Sequence, residues 1–155
     1  MKQYQYNDIA GMQELVSEEF GPWSSEFEIT QELINQFADL TGDHNWIHID
    51  EERAKNESPF GTTIAHGFMT LVMMPRMSGT PTFDITGYNA IVNYGSNKLR
   101  FTGPVPAGSK LHMRSRVKES TESPKGTIVT QEQHIHSVGQ DERPLLIYEL
   151  IIISM

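Results

Sequence analysis

Ten residues, Thr41-Gly42-Asp43-His44-Asn45-Trp46-Ile47-His48-Ile49-Asp50, followed by Ala65-His66-Gly67, hold three of the six histidines in the chain beside two aspartates. A carboxyl and an imidazole facing one site form a general acid/base pair: one takes a proton from water while the other delivers one. Asp43 and His48 lie five positions apart, about 140° around a helix and on opposite faces of a strand, so neither regular structure brings them together. An irregular turn can, and Gly42 gives the backbone freedom to make one. His44 and His48, four apart, would share a helix face and could bind a metal. Gly42 and the bulky Trp46-Ile47 pair argue against a helix there, and no third ligand stands at convincing spacing, so no metal is expected.

The flanking elements must position these groups. Thr30 reads as the N-cap of a helix with Leu33, Ile34, Phe37 and Leu40 on its apolar face, and Gly42 stops it. Asp50 to Asn56 reads as one or two polar helical turns, and Pro59, Gly61 and Thr62 break the chain after it. From Ala65 to Met77 the sequence is apolar nearly all round, the pattern of a helix buried on most sides, which Pro75 should kink or end. Met69, Met73, Met74 and Met77 read as core, although methionine adapts its shape well enough to line a tunnel. Upstream, Ile9, Met12, Leu15 and Val16 predict a short amphipathic helix over residues 7–19, and residues 23–29 alternate like a strand.

The second half predicts four strands, at roughly 89–101, 110–119, 127–137 and 144–154, punctuated by Pro and Gly. The last one, with Leu145, Leu146, Ile147, Leu150, Ile151, Ile152 and Ile153, alternates little, so both its faces should be covered. One helix cannot cover such a sheet alone. The economical architecture is an antiparallel sheet wrapped around the helix that starts near Ala65, with a second subunit covering the remainder. His134 and His136 would share one face of a strand, as surface residues.

At 155 residues with 37% hydrophobic content, the chain suits a single domain, 1–155, with a real core. A formal charge of −8, with basic residues scattered singly, argues against a surface that tracks nucleic-acid phosphates. A small anionic ligand held by a few local Lys or Arg stays compatible with it. There is no cysteine, hence no disulfide, thiol nucleophile or thiolate metal site. The N-terminus lacks an apolar signal core and the one long apolar run, residues 145–153, is too short for a membrane-spanning helix, so a cytoplasmic protein is expected.

From about Phe27 onward, the run Phe37-Ala38-Asp39-Leu40-Thr41-Gly42-Asp43-His44-Asn45-Trp46-Ile47-His48-Ile49-Asp50 and then Phe60-Gly61-Thr62-Thr63-Ile64-Ala65-His66-Gly67-Phe68 resembles the hydratase motif of the MaoC-like, (R)-specific enoyl-CoA hydratases. Trp46-Ile47 and Asn93-Tyr94-Gly95-Ser96-Asn97-Lys98-Leu99-Arg100-Phe101 are most similar to the branch named after nodulation protein N. Trp46 stands where many members carry proline, which bears on pocket shape. The resemblance implies the α+β hot-dog fold, a homodimer, and reversible addition of water to trans-2-enoyl-CoA or the carrier-protein thioester, a step of fatty acid metabolism, with no cofactor.

Hydrating an α,β-unsaturated thioester needs a base for water, an acid for the α-carbon, and donors for the enolate oxygen that develops. By resemblance, Asp43 and His48 grip the water, with His48 as base and Asp43 as acid, burial beside Trp46 and Ile47 favouring the neutral acid; the reverse assignment is also open. Gly67, at the start of the buried helix, can bring a backbone N–H to the thioester oxygen with no side chain in the way, aided by the helix dipole. His66 would orient that turn, and Asn45 would position water or hold the catalytic loop. Lys98 and Arg100, alternating on a strand, would either be solvated or meet the phosphates of CoA, with Arg53 and Lys55 as competitors. Two rival readings share the ligand: a hot-dog thioesterase, which would direct the water at the carbonyl carbon, and a catalytically silent acyl-thioester-binding protein.

Overall fold

The computed structural model describes residues 1–79 and 81–155. Four long strands, β4 (Ile91–Phe101), β5 (Ser109–Ser123), β6 (Gly126–Ser137) and β7 (Leu146–Ser154), join the short β2 (Phe27–Ile29) in an antiparallel sheet of order β2-β5-β6-β7-β4. Leu111, Ile135 and Leu146, from three adjacent strands, pack with Ile34 of α2 (Gln31–Thr41) and Met69 of α5 (Gly67–Val72) in the main core. Each of these side chains is at most 1% exposed, and burying one contributes about 1.5–3 kcal/mol. Met12 of α1 (Ile9–Gln13) centres a second cluster with Val117, Val129 and Ile152.

The expected four strands are present with their boundaries shifted by a few residues, and the helix capped by Thr30 runs to Thr41 as expected. Its buried face is Ile34 and Ala38, whereas Leu40 is 83% exposed. The helix expected over residues 7–19 is confined to Ile9–Gln13. After it the chain becomes extended, and Val16 makes a parallel bridge to Val117. Backbone bonds from Ser17, Gly21 and Ser24 to β5 carbonyls continue along the β5 edge that the three-residue β2 leaves free. Such an edge needs cover, and its hydrogen bonds outweigh helical propensity that Gly11 already weakens.

For the same reason the strand expected over residues 23–29 begins only at Phe27. Trp23 instead lies flat on His112, the ring centroids 4.0 Å apart and the planes within 6°. His136, expected at the surface, is fully buried beneath this segment. A parallel pair, β1 (Lys2–Gln5) with β3 (Phe83–Thr86), lies outside the sequence reading because four residues reading Lys-Gln-Tyr-Gln carry no apolar alternation.

The helix expected over residues 65–77 is shorter: α5 ends at Val72 and a 3₁₀ turn, Met74–Arg76, follows with Pro75 inside it. It is also buried on one side only. Phe68 (63% exposed) and Val72 (55%) stand bare, as do Tyr94 and Phe101 on the edge strand β4. In β7, Leu146, Ile152 and Ile153 are buried and the residues from Ile147 to Ile151 are half-buried. No helix among the described residues is long and apolar enough to cross a membrane.

Candidate active site

Gly42 ends α2 in the left-handed region (φ 79°), its N–H bonded to the Ala38 carbonyl, and turns the chain away from the helix axis. Asp43 follows in the loop. Asn45 then caps the one-turn helix α3 (Trp46–Ile49), its side-chain oxygen accepting from the Ile47 N–H at 3.2 Å. Asp50 caps α4 (Glu51–Glu57) in the same way. The expectation of no helix around His48 is therefore corrected: a turn of helix does form, because Asn45 restarts it beyond the irregular segment that Gly42 opens. Loop and turn together carry out the reversal that neither regular structure allows.

The motif's second half meets the first through backbone bonds. Ile64 N–H donates to the Ile47 carbonyl and Ala65 N–H to that of Val105, so the chain arrives extended at His66, the N-cap of α5. The His66 ring is 4% exposed, and its Nε2–H donates to the Asp43 carbonyl at 2.9 Å, pinning the Asp43 loop to the helix start. The His48 ring stacks on His66, the centroids 3.8 Å apart. One ligand atom each from Asp43, His48 and His66 lies within 4.8 Å of the others.

Protons can be assigned from the partners. Nδ1 of His48 lies 2.7 Å from the Ile64 carbonyl, which can only accept, so Nδ1 carries the hydrogen and Nε2 the lone pair. Burial holds the His48 imidazole below its ordinary pKa, and the neighbouring His66 adds to the effect. His48 is thus a neutral base near pH 7. Asp43 differs from the expected burial beside Trp46 and Ile47: its side chain is 57% exposed in the single chain, because the loop projects it outward. Its Oδ1 accepts from the Asn45 N–H.

A cavity of about 350 Å³ is lined by Asp43, His48, His66, Gly67, Phe37 and Phe68. A second, of about 300 Å³, shares His48 and Gly67 and is walled by Phe101 and Leu145. Gly67 opens α5, and the capping residue before it makes no side-chain bond to the helix start. A Cβ on Gly67 would sit 3.1 Å from the Phe101 ring.

The structure thus brings Asp43, His48, His66 and Gly67 together and leaves the other four expected residues outside both cavities. Asn45 holds the loop. Trp46 lies under the Arg53 guanidinium, 4.3 Å from the ring centroid, and ties α3 to α4. Lys98 and Arg100 are exposed on β4, and Arg100 bonds the Leu99 carbonyl. Gln31 is a positioning residue absent from the sequence reading: its amide donates to the His48 carbonyl at 2.8 Å and accepts from the Thr63 hydroxyl, joining α2 to both halves of the motif. No sequence signal marks a glutamine at a helix start for this task. Phe101 could have been found, since it closes the nodulation-type segment.

The third metal ligand that spacing did not supply does exist, as His66. The two rings stack at 26°, however, so their nitrogen lone pairs run side by side rather than converging on one ion, and His66 Nε2 already serves the loop. His44 stands apart, 2.9 Å from the exposed carboxylate of Asp39, which raises its pKa.

Residues 21–139 match the family described as MaoC like domain. The chain is 40% identical to 3-hydroxyacyl-thioester dehydratase Z of Mycobacterium tuberculosis, over 95% of each sequence, and 36% identical to nodulation protein N of Rhizobium meliloti, over 94% and 90%. The R-hydratase of Pseudomonas aeruginosa superposes with a TM-score of 0.67 at 25% identity, covering 88% of this chain and 81% of that one. The sheet and its packed helix are accordingly the hot-dog fold, and this chain belongs to the MaoC-like dehydratase family.

Proposed function

We propose that this chain is a hydratase/dehydratase that interconverts trans-2-enoyl and (R)-3-hydroxyacyl thioesters of CoA or a carrier protein, working as a homodimer. The observation that carries the reading is the tautomer of His48: Ile64 fixes its proton on Nδ1 and leaves a basic Nε2 in the cavity that Asp43 and Gly67 share. In the hydration direction, His48 Nε2 takes a proton from water as its oxygen bonds to the β-carbon. The electron pair of the double bond moves to the thioester oxygen, where the Gly67 N–H donates to it. The proton held by His48 then passes to the Asp43 carboxylate, which delivers it to the α-carbon, so both groups return to their starting states. His66 works on this chemistry through Asp43, whose loop it holds.

The names of the dehydratase and hydratase relatives support this class of reaction. The bare Phe68, Val72, Tyr94 and Phe101 support the dimer, since a second copy would cover both the helix and the unpaired edge of β4. Lys98 and Arg100, exposed on that edge, are the cations offered there to CoA phosphates. The test is loss of enoyl absorbance across a chain-length panel of trans-2-enoyl-CoAs, with chiral analysis of the product. Free thiol released from a saturated acyl-CoA would replace the reading with a thioesterase.

A further inference from the structure

We propose that residues 17–24 form a strap released by acid: a proton taken up by His136 lifts the segment from the sheet and bares the β5 edge. The inference is independent of the chemistry proposed for Asp43 and His48. His112 and His136 are cross-strand partners, each next in sequence to a core residue, Leu111 and Ile135, so they point to the sheet face opposite the main core. The strap covers them there. Its backbone follows β5, with the N–H groups of Ser17, Gly21 and Ser24 donating to the carbonyls of Val117, Ser115 and Met113. Its Trp23 stacks on His112 and meets His136 edge-on, the centroids 5.0 Å apart, while Phe20 lies 4.5 Å from the His134 ring. The Arg114 guanidinium lies over both aromatic rings of the strap.

The three imidazoles do not respond alike to acid. A proton on His112 meets the Asp141 carboxylate at 2.8 Å, and one on His134 meets Glu132 at 2.9 Å. His136 is fully buried, and neither ring nitrogen has a hydrogen-bond partner among the described residues. Arg114 and His112 face it from β5 and His134 from its own strand; the Gln140 backbone favours its proton, but less than burial and Arg114 oppose it. The strap's carboxylates do not offset this, because Glu18 is bound by Arg116 and Glu19 is exposed. An imidazolium at this position is a buried charge without a counter-ion, a costly state that water would relieve. No residue from Ser17 to Ser24 is fully buried, so the strap is the part of the cover that yields most readily. Once uncovered, His136 regains the ordinary imidazole value near 6.5, below which burial holds it when the strap is closed. Closure is therefore at full strength above pH 6.5 and weakens as the pH falls below it.

Hydrogen exchange read by mass spectrometry tests this on the intact protein, with rates corrected for the intrinsic effect of pH. Peptides covering residues 17–24 should exchange faster than β6 at every pH, because the strap opens without the sheet. Between pH 7.5 and 5.5 their protection should fall by up to about tenfold, the limit that one proton sets. His136→Leu should remove that fall. His134→Gln, which deletes an imidazole whose proton is already paired, should keep it, and so decides the matter should His136→Leu not fold. A strap equally protected at both pH values overturns the inference, as does one that exchanges in step with β6, the mark of global unfolding. A fall that persists in His136→Leu or vanishes in His134→Gln also overturns it.

Discussion

Replacing Gly67 with alanine separates the catalytic claim for its N–H from its part in the fold. The φ of Gly67 is not positive, so alanine adopts the same backbone. At the first helical position it gains at most about 1 kcal/mol over glycine. Against this, the new Cβ would sit 3.1 Å from two atoms of the Phe101 ring. That ring is 45% exposed and can turn aside, at about 0.5–1.5 kcal/mol for leaving its rotamer well. The two effects nearly cancel, and for a chain of 155 residues a net change within about 1 kcal/mol moves Tm by no more than roughly 4 °C. Catalysis should suffer far more, because the methyl group occupies the approach of the thioester oxygen. Loss of one such donor lowers kcat about 10²- to 10³-fold. Calorimetry and enoyl-CoA kinetics on the same preparation should show a stable, slow enzyme. Gly67→Ala with Phe101→Leu relieves the ring contact but keeps the methyl, and should stay slow. Wild-type turnover by Gly67→Ala, or recovery in the double variant, would refute the donor role.

Gln31→Leu strips partners from the His48 carbonyl and the Thr63 hydroxyl; it should cost about 1–3 kcal/mol in chemical denaturation and lower kcat as His48 loses its anchor. His44→Gln, affecting only an exposed contact with Asp39, should retain most activity. Because burial lowers the His48 pKa, the acid limb of kcat/KM should fall below the ordinary 6.5 of imidazole, read from a pH–rate profile. His136 is also held below 6.5 by burial, with Arg114, His134 and His112 facing it and Trp23 packed over it. On acidification the unfolded chain therefore binds the proton first, so stability should drop as pH falls below 6.5, and His136→Leu should flatten that slope in thermal melts. Light scattering should give about 35 kDa, twice the 17.6 kDa chain, over a dilution series.

What could be read from the sequence followed from strong local signals. Thr30 and Gly42 bracket α2 through a side-chain cap and a left-handed turn, and the strands after residue 89 alternate or run apolar between glycines and prolines. Asp43, His48 and Gly67 were legible through a long motif, and the structure gathers them as expected. The misses arise where tertiary partners decide. Residues 16–24 leave helix and strand alike to cover the β5 edge, a need invisible before the sheet exists. Asp43 stays exposed because burial depends on the loop's direction, and Gln31 joins elements by contacts that no spacing announces. Trp46 turned from pocket wall to anchor because Arg53, one helix later, stacks on it.

The central claim is that Asp43 and His48 share one water at an acyl-thioester site. Asp43→Asn keeps shape and hydrogen-bonding reach but cannot deliver a proton, and it should be assayed with His48→Gln and the double variant on a trans-2-enoyl-CoA, by absorbance for turnover and by calorimetry for binding of the saturated analogue. Each single variant should lose about 10²- to 10⁴-fold in kcat with binding largely kept, and the double variant should be little worse than the poorer single one. Near-wild-type hydration by Asp43→Asn would contradict the mechanism, and a wild type that binds enoyl thioesters without hydrating them would put the silent binder in its place.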